Sequence, residues 1–208
     1  MNHIQEPSHQ DISLSLPIKM GFKALTNFLN TSFAGHSIGK TNSRGKEVNY
    51  FKIHHIDAEP SNLEGFDMEL IVNLETLTTL YKHRELQISV YVSMKLDVSS
   101  QKIYIDAYKM DSEGQGWIAD HLLKSVLNNF IYDRIINDLD IELRPLIDEK
   151  LVELNKKLAA NFEINSGISI LGAIQTVNIS HFEIKNDTIW IIINIKGWGV
   201  IDVENLDL

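Results

Sequence analysis

The sequence predicts an α+β domain in which a long, curved antiparallel β-sheet wraps around a long kinked α-helix. Three observations predict it. Between Trp117 and Phe162, apolar residues recur three or four apart (Ile118, Leu122, Val126, Phe130, Ile135, Leu139, Leu143, Leu146, Leu151, Leu154, Leu158), the spacing of one helix face. The blocks on either side alternate apolar and polar residues with period two, which is the signature of strands with one covered and one wet face. Pro145 falls inside the helical run, where proline removes a hydrogen bond and clashes with the preceding turn, so a kink is expected between Asp140 and Arg144. A straight helix of that length would run about 60 Å. A compact chain of this size has a radius of gyration of roughly 17 Å, so the helix must bend or the domain must be elongated.

Taken in order, residues 1–12 are polar and read as a flexible N-terminus, and residues 13–208 as a single domain. Ile12, Leu14 and Leu16 alternate with serines as a short strand that Pro17 places at an edge. Phe22, Leu25, Phe28, Leu29 and Phe33 follow at helical spacing, and Gly35 closes that helix. The glycine-rich stretch 35–47 reads as a loop or irregular hairpin. Four strands follow, over Val48–Ile56, Phe66–Glu75, Leu86–Val98 and Ile103–Tyr108. Ser99-Ser100-Gln101 makes a tight antiparallel turn between the last two. After the long helix, Gly167–His181 and Thr188–Val200 form a closing hairpin about the turn Lys185-Asn186-Asp187.

Composition narrows the function classes. Apolar residues make up 44% and charged residues 23%, enough for a substantial core. The net charge of −9 disfavours nucleic acid and anionic membrane surfaces as long-range partners, because both are recognised through concentrated Lys and Arg. The absence of cysteine excludes disulfides, thiol catalysis and thiolate metal sites. No apolar run is long enough for a transmembrane helix. The N-terminus has no basic-then-apolar secretion signal. The compartment is therefore open: the cell envelope if a signal has been removed, the cytoplasm otherwise.

The opening Ser13-Leu14-Ser15-Leu16-Pro17-Ile18, with Leu25, Leu29-Asn30 and Phe33, carries a resemblance, as does the closing region from Leu158 to Ile170, Val177, Ile179, Ile184, Ile189–Ile195 and Gly197. With this order of elements the chain resembles one half of the tubular lipid-binding superfamily, which includes the bactericidal/permeability-increasing protein. It is most similar to the superfamily's uncharacterised bacterial members. The resemblance implies that a lipid or similar apolar molecule is held between a curled sheet and a long helix. Apolar residues on the inward faces are the candidate lining: Phe22, Leu25, Phe28 and Leu29 from the first helix, and Met68, Leu70, Val90, Val92 and Met94 from the strands. Trp117, Leu122, Val126 and Phe130 from the long helix, and Ile191 and Ile193 from the last strand, complete it. The alternative is a structural or protein-interaction module of the same fold, its interior filled by side chains.

Other chemistry is weakly signalled. His54-His55 with Asp57 carries metal-ligand types, but adjacent strand residues point to opposite faces. His36, His121 and His181 are isolated in sequence. Gly35 to Thr41 is similar to a phosphate-binding loop, but only three residues separate its glycines where four are needed. No serine lies in a nucleophile context, and the carboxylates near Asp111 and Asp138 read as solvated faces. The sequence therefore predicts a non-enzymatic binder with no cofactor and no metal. Trp190 and Trp198 would mark an exposed contact patch.

Overall fold

The computed structural model describes residues 11–41, 43–78, 83–111, 121–165 and 167–203. Residues 1–10 of the expected flexible N-terminus lie outside these, as does Trp117, while Asp11 and Ile12 already belong to a strand. The described chain runs β1 (Asp11–Gly21), α1 (Phe22–Phe33), β2 (Ser37–Thr41), β3 (Glu47–Pro60), β4 (Met68–Thr76), β5 (Glu85–Asp97) and β6 (Lys102–Asp111). It continues with α2 (His121–Phe130), a π-helical segment Ile131–Ile136, β7 (Ile141–Glu142), α3 (Leu143–Ala159), β8 (Phe162–Asn165), β9 (Ile168–Lys185) and β10 (Thr188–Val203).

The expected long kinked helix, and with it the α+β arrangement, is overturned. The protein is mostly β, and its strands form two sheets. A central sheet has the order β2-β3-β4-β5-β6-β7, and a terminal sheet the order β1-β10-β9-β8. The run from Trp117 to Phe162 is not one helix. Ile141-Glu142 is extended and pairs with Lys102-Ile103 of β6, which cuts the run in two. Pro145 does not kink a continuous helix; it is the third residue of α3, in the first turn, where its missing N–H has no intrahelical partner to lose. Helical spacing persists across the break because Leu139, Leu143 and Leu146 keep it by position alone. In the glycine-rich stretch the hairpin alternative holds: β2 pairs antiparallel with β3, with a register shift at Ile38/Gly39. A further strand, β8 after α3, was not expected.

The central sheet is filled by side chains. β4 alternates buried and half-buried residues along its whole length, as does most of β5. Helix α1 buries Phe22, Leu25, Leu29 and Phe33, spaced three and four apart, against that face. Ala34 N–H bonds Asn30 O at 3.0 Å to close the helix, and Gly35 turns the chain at φ 84°, a conformation that favours glycine. On the other helical layer Val126, Leu127, Ile131, Ile135 and Leu139 are buried, and Phe130 meets Phe33 edge to face at 6.2 Å. Each fully buried Leu, Ile or Phe contributes about 1.5–3 kcal/mol, and nearly all the buried apolar side chains among the described residues belong to this one core of sheet and helices.

Three of the register shifts that bend the sheets have a side-chain amide fixed beside them. Register slips past His54 in β3, past Gln175 in β9 and past Ser180 in β9. Next to the first, Asn30 donates from Nδ2 to Ile56 O (2.7 Å) and accepts from Ile56 N–H at Oδ1 (2.9 Å). Next to the second, Asn155 of α3 makes the same pair with Ile174 (2.8 and 2.7 Å). Next to the third, Gln101 from the β5–β6 turn makes it with Ile179 (3.0 and 2.6 Å) and also donates to Val98 O (2.7 Å). A strand residue sends its N–H and C=O to the same side, so an amide side chain can replace a missing neighbouring strand. β8 pairs only with the start of β9, and Gln101 and Asn155 cover the edge beyond it. Gln101 also joins the central sheet to the terminal one.

Candidate functional site

The terminal sheet carries one uninterrupted apolar face. In β1 it comprises Ile12, Leu14, Leu16, Ile18 and Met20, which pair directly with Gly197, Ile195, Ile193, Ile191 and Ile189 of β10. β10 continues the face through Gly199, Ile201 and Val203. β9 adds Ile184, Phe182, Ile179, Val177, Ile174, Gly172, Ile170 and Ile168, and Phe162 of β8 pairs with Ile170. No ionisable side chain interrupts it. The opposite face of the same strands bears Ser13, Ser15, Asn194, Lys196, Thr176 and Asn178 along its middle, with Lys19, Trp190 and Ile192 toward one end and Trp198, Val200 and Leu171 toward the other.

Cover on the apolar face fades along the strands. At one end Ile189 and Ile179 are buried, and Met20, Phe182, Ile184 and Ile191 pack on the central core. Ile193, Ile195 and Val177 are half-buried. At the far end Ile12 is 52% exposed, Phe162 47% and Ile201 64%, and on the β1 edge Leu16, in the same row as Ile193 and Ile179, is 40% exposed. Large side chains left about half uncovered side by side exceed the scattered exposed apolar residues usual on soluble proteins. Glycine shapes the floor. A side chain on Gly197 would put its Cβ 2.4 Å from Ala173 O, and one on Gly172 would stand 2.5 Å from Trp198 O, so the backbones approach too closely for any other residue.

Helix α3 borders this sheet without burying any residue. Leu143, Ile147, Leu151 and Leu158 are half-buried, whereas Leu146, Val152 and Leu154 are exposed. Asn155 holds the helix against β9. On the polar side of the sheet, a cleft of about 660 Å³ separates α3 from β9 and β10. A second cleft, of about 630 Å³, lies between α1, β2 and the α2–π segment, with Phe33 and Phe130 in its wall beside Lys40, Asp133 and Arg134.

The residues expected to line an apolar site fall into two groups. Phe22, Leu25, Leu29, Met68, Leu70, Val90, Val92, Met94 and Val126 lie in the packed core of the central sheet. Phe130 is half-buried against it and Phe28 is 50% exposed on α1. Leu122 is part of α2, and Trp117 lies outside the described residues. Ile191 and Ile193 are the two that sit on the terminal sheet's apolar face. Sequence reasoning missed the exposed members of that face, Ile12, Leu14, Leu16 and Ile18 of β1 and Ile201 of β10, although the alternation is plain in β1. It also missed the three amide clamps. Their signal was a lone Asn within an apolar helical stripe, as at Leu29-Asn30 and Leu151–Asn155.

Among the described residues no group of three or more His, Asp or Glu is placed to hold a metal ion. His54 Nε2 bonds Glu75 Oε2 at 3.1 Å, and His83 Nδ1 bonds the other carboxylate oxygen. These two imidazoles, His83 the more strongly, hold the Glu75 carboxyl below its usual range. His55 pairs separately with Asp57 at 2.9 Å. No described helix is long and apolar enough to cross a membrane.

Comparison with known proteins gives three results. No curated protein matches the chain. Among solved structures, a crystal structure of lipopolysaccharide binding protein aligns with 98% of this chain at 12% identity and a TM-score of 0.22. The chain spans 46% of that protein's length. A family described as a domain of unknown function, DUF4403, matches residues 2–203. With nearly its whole length inside that match, the chain belongs to the DUF4403 family.

Proposed function

We propose that the protein is a non-enzymatic binder of an acyl-bearing ligand, which lies along the open apolar face of the terminal sheet. The observation that carries this reading is the row Ile12, Leu14, Leu16 and Ile18, all 40–52% exposed on one face and backed by Ile193 and Ile195. The six steps from Ile12 to Ile18 span about 20 Å at about 3.4 Å each. One acyl tail occupies about half of a bilayer's roughly 30 Å hydrocarbon core, so the row is long enough to hold one. Each methylene removed from water contributes about 0.8 kcal/mol when fully buried. An open face covers about half of each, so a long chain gains about 5–6 kcal/mol, a dissociation constant of order 0.1 mM. A ligand that also wraps between the sheets would bind more tightly. Selectivity among acyl chains would be low, since the face offers no polar group to read.

The central half of the molecule favours a second reading there. Its helix–sheet interior is filled by side chains, as a module without a ligand requires. The open face would then meet a protein partner. Fluorescent fatty acid titration and native mass spectrometry of the purified chain separate the two. Saturable uptake, competed by unlabelled fatty acid and reduced by Leu16→Gln, is the expected result. Absence of uptake up to millimolar probe, with no extractable lipid, would refute acyl binding.

A further inference from the structure

We infer that the cleft between α3 and the polar side of the terminal sheet is a binding site for an anionic, hydroxyl-rich molecule of the sugar-phosphate type. It lies on the opposite side of the sheet from the acyl face and stands independently of it. Its floor is two rows of the sheet ladder. In one, Ser13, Lys196 and Thr176 lie side by side across β1, β10 and β9; in the next, Asn194 faces Asn178. Its wall is one face of α3, where Arg144 and Asp148 stand four residues apart.

The hydrogen-bonding capacity of this cleft is unspent. Asn178 and Asn194 are half-buried, yet neither side chain bonds to a described residue. Arg144 and Lys196 form no ion pair with a described residue. Asn30 and Asn155, half-buried like Asn178 and Asn194, each bond through both ends of the amide. Each amide offers both donors and an acceptor, the combination that suits hydroxyl groups. The two cations suit a phosphate, through charge-assisted hydrogen bonds, and Arg144 can bind it with two N–H groups at once. Asp148 accepts only; it suits hydroxyls and repels a second anionic group. The ligand class is therefore one anionic end joined to a polyhydroxyl body. A volume of about 660 Å³ is large enough for it. Here two cations face one carboxylate, whereas the cleft beside α1 sets Lys40 and Arg134 against Glu47, Asp133 and Asp138.

Calorimetric titration of the full chain with glucose phosphate, glucose and inorganic phosphate tests this. Glucose phosphate should bind at least tenfold more tightly than glucose. The double variant Arg144→Gln/Lys196→Gln should lose at least tenfold of that affinity while keeping its fatty acid uptake. Lys156→Gln/Lys185→Gln, with the same change of charge away from the cleft, should keep the affinity. In the wild type, amide shifts on binding should fall at Thr176–Asn178 and Asn194–Lys196. Sedimentation with phosphatidylcholine vesicles, with and without phosphatidylinositol, separates the sources. Pelleting that requires phosphatidylinositol and both cations supports a lipid headgroup; binding of the free ester alone supports a soluble ligand. No glucose phosphate binding up to about 10 mM, an equal loss in the charge control, or shifts elsewhere would overturn the assignment.

Discussion

Replacing Gln101 should separate the two sheets energetically. Its side chain is 1% exposed and makes three hydrogen bonds: to Val98 O, to Ile179 O and from Ile179 N–H. In Gln101→Ala the N–H and C=O of Ile179, itself 5% exposed, lose their partners. An unsatisfied buried group costs about 1–3 kcal/mol, giving 2–6 kcal/mol for the two. Water entering the vacated space recovers part, so the expected loss is about 3 kcal/mol. For a chain of this size that lowers the melting temperature by about 6–12 °C. Gln101→Glu sharpens the test. A carboxylate keeps the acceptor for Ile179 N–H but turns its second oxygen toward two carbonyls, whereas the protonated acid can donate to one of them. Burial and the carbonyls raise its folded pKa above the unfolded value of about 4.3. The stability that this acid contributes is then fully present below the unfolded value and lost as pH rises through the folded one. Gln101→Glu should therefore melt close to wild type near pH 4 and well below it near pH 7, by circular dichroism. Gln101→Met, similar in size but without the donors, should show an equal deficit at both. A Gln101→Ala melt within about 1 °C of wild type, or a Gln101→Glu deficit independent of pH, would refute the clamp.

Other outcomes follow from single contacts. Asn155→Ala removes the two bonds that hold α3 to Ile174, so it should cost about 1–2 kcal/mol and speed hydrogen exchange at the Ile174 amide more than at Ile189. Leu16→Gln on the exposed row should weaken fatty acid binding several-fold while changing stability by less than about 0.5 kcal/mol, by titration and urea unfolding. Gly197→Ala forces its Cβ into Ala173 O and should cost at least about 2 kcal/mol; Gly199→Ala, whose Cβ meets Ile12 Cδ1 at 3.4 Å and Leu171 O at 3.6 Å, should be far milder in the same assay. Asp97 accepts bonds from the Ser99 hydroxyl (2.6 Å) and the Ser99 and Ser100 amides, which hold its pKa at about 2. Its folded pKa is depressed, so its contribution is present above the unfolded value and disappears as pH falls toward 2. Carboxyl NMR titration should place its midpoint there, and Asp97→Asn should remove that part of the acid sensitivity.

Much of the local structure was legible. Ile12, Leu14 and Leu16 against serines predicted β1, Phe22 to Phe33 predicted α1, and the alternations of β4 and β5 predicted strands with one buried face. Period-two and period-3.6 patterns survive in sequence because they record which side of one element meets water. The break in the long helix was not legible, because Ile141-Glu142 leaves the helical spacing of its neighbours intact and is extended only through pairing with Lys102-Ile103, some forty residues earlier. β8 was hidden for the same reason: a four-residue strand is defined by its partner more than by its own pattern.

The candidate faces divide in the same way. By itself the sequence determined that β1 and β10 each have one continuous apolar side, since alternation is a local property of the backbone. It could not tell which apolar side is covered. Leu70 and Leu16 sit in equally clean alternations, yet one is fully buried in the central core and the other is 40% exposed. That difference arises from how far α1, α2 and the central sheet reach. Only the tertiary structure decided it, as only the fold brought Asn30 to Ile56, Gln101 to Ile179 and Asn155 to Ile174. Hydrogen bonds between groups so distant in the chain have no period in sequence, because their partners are chosen by packing.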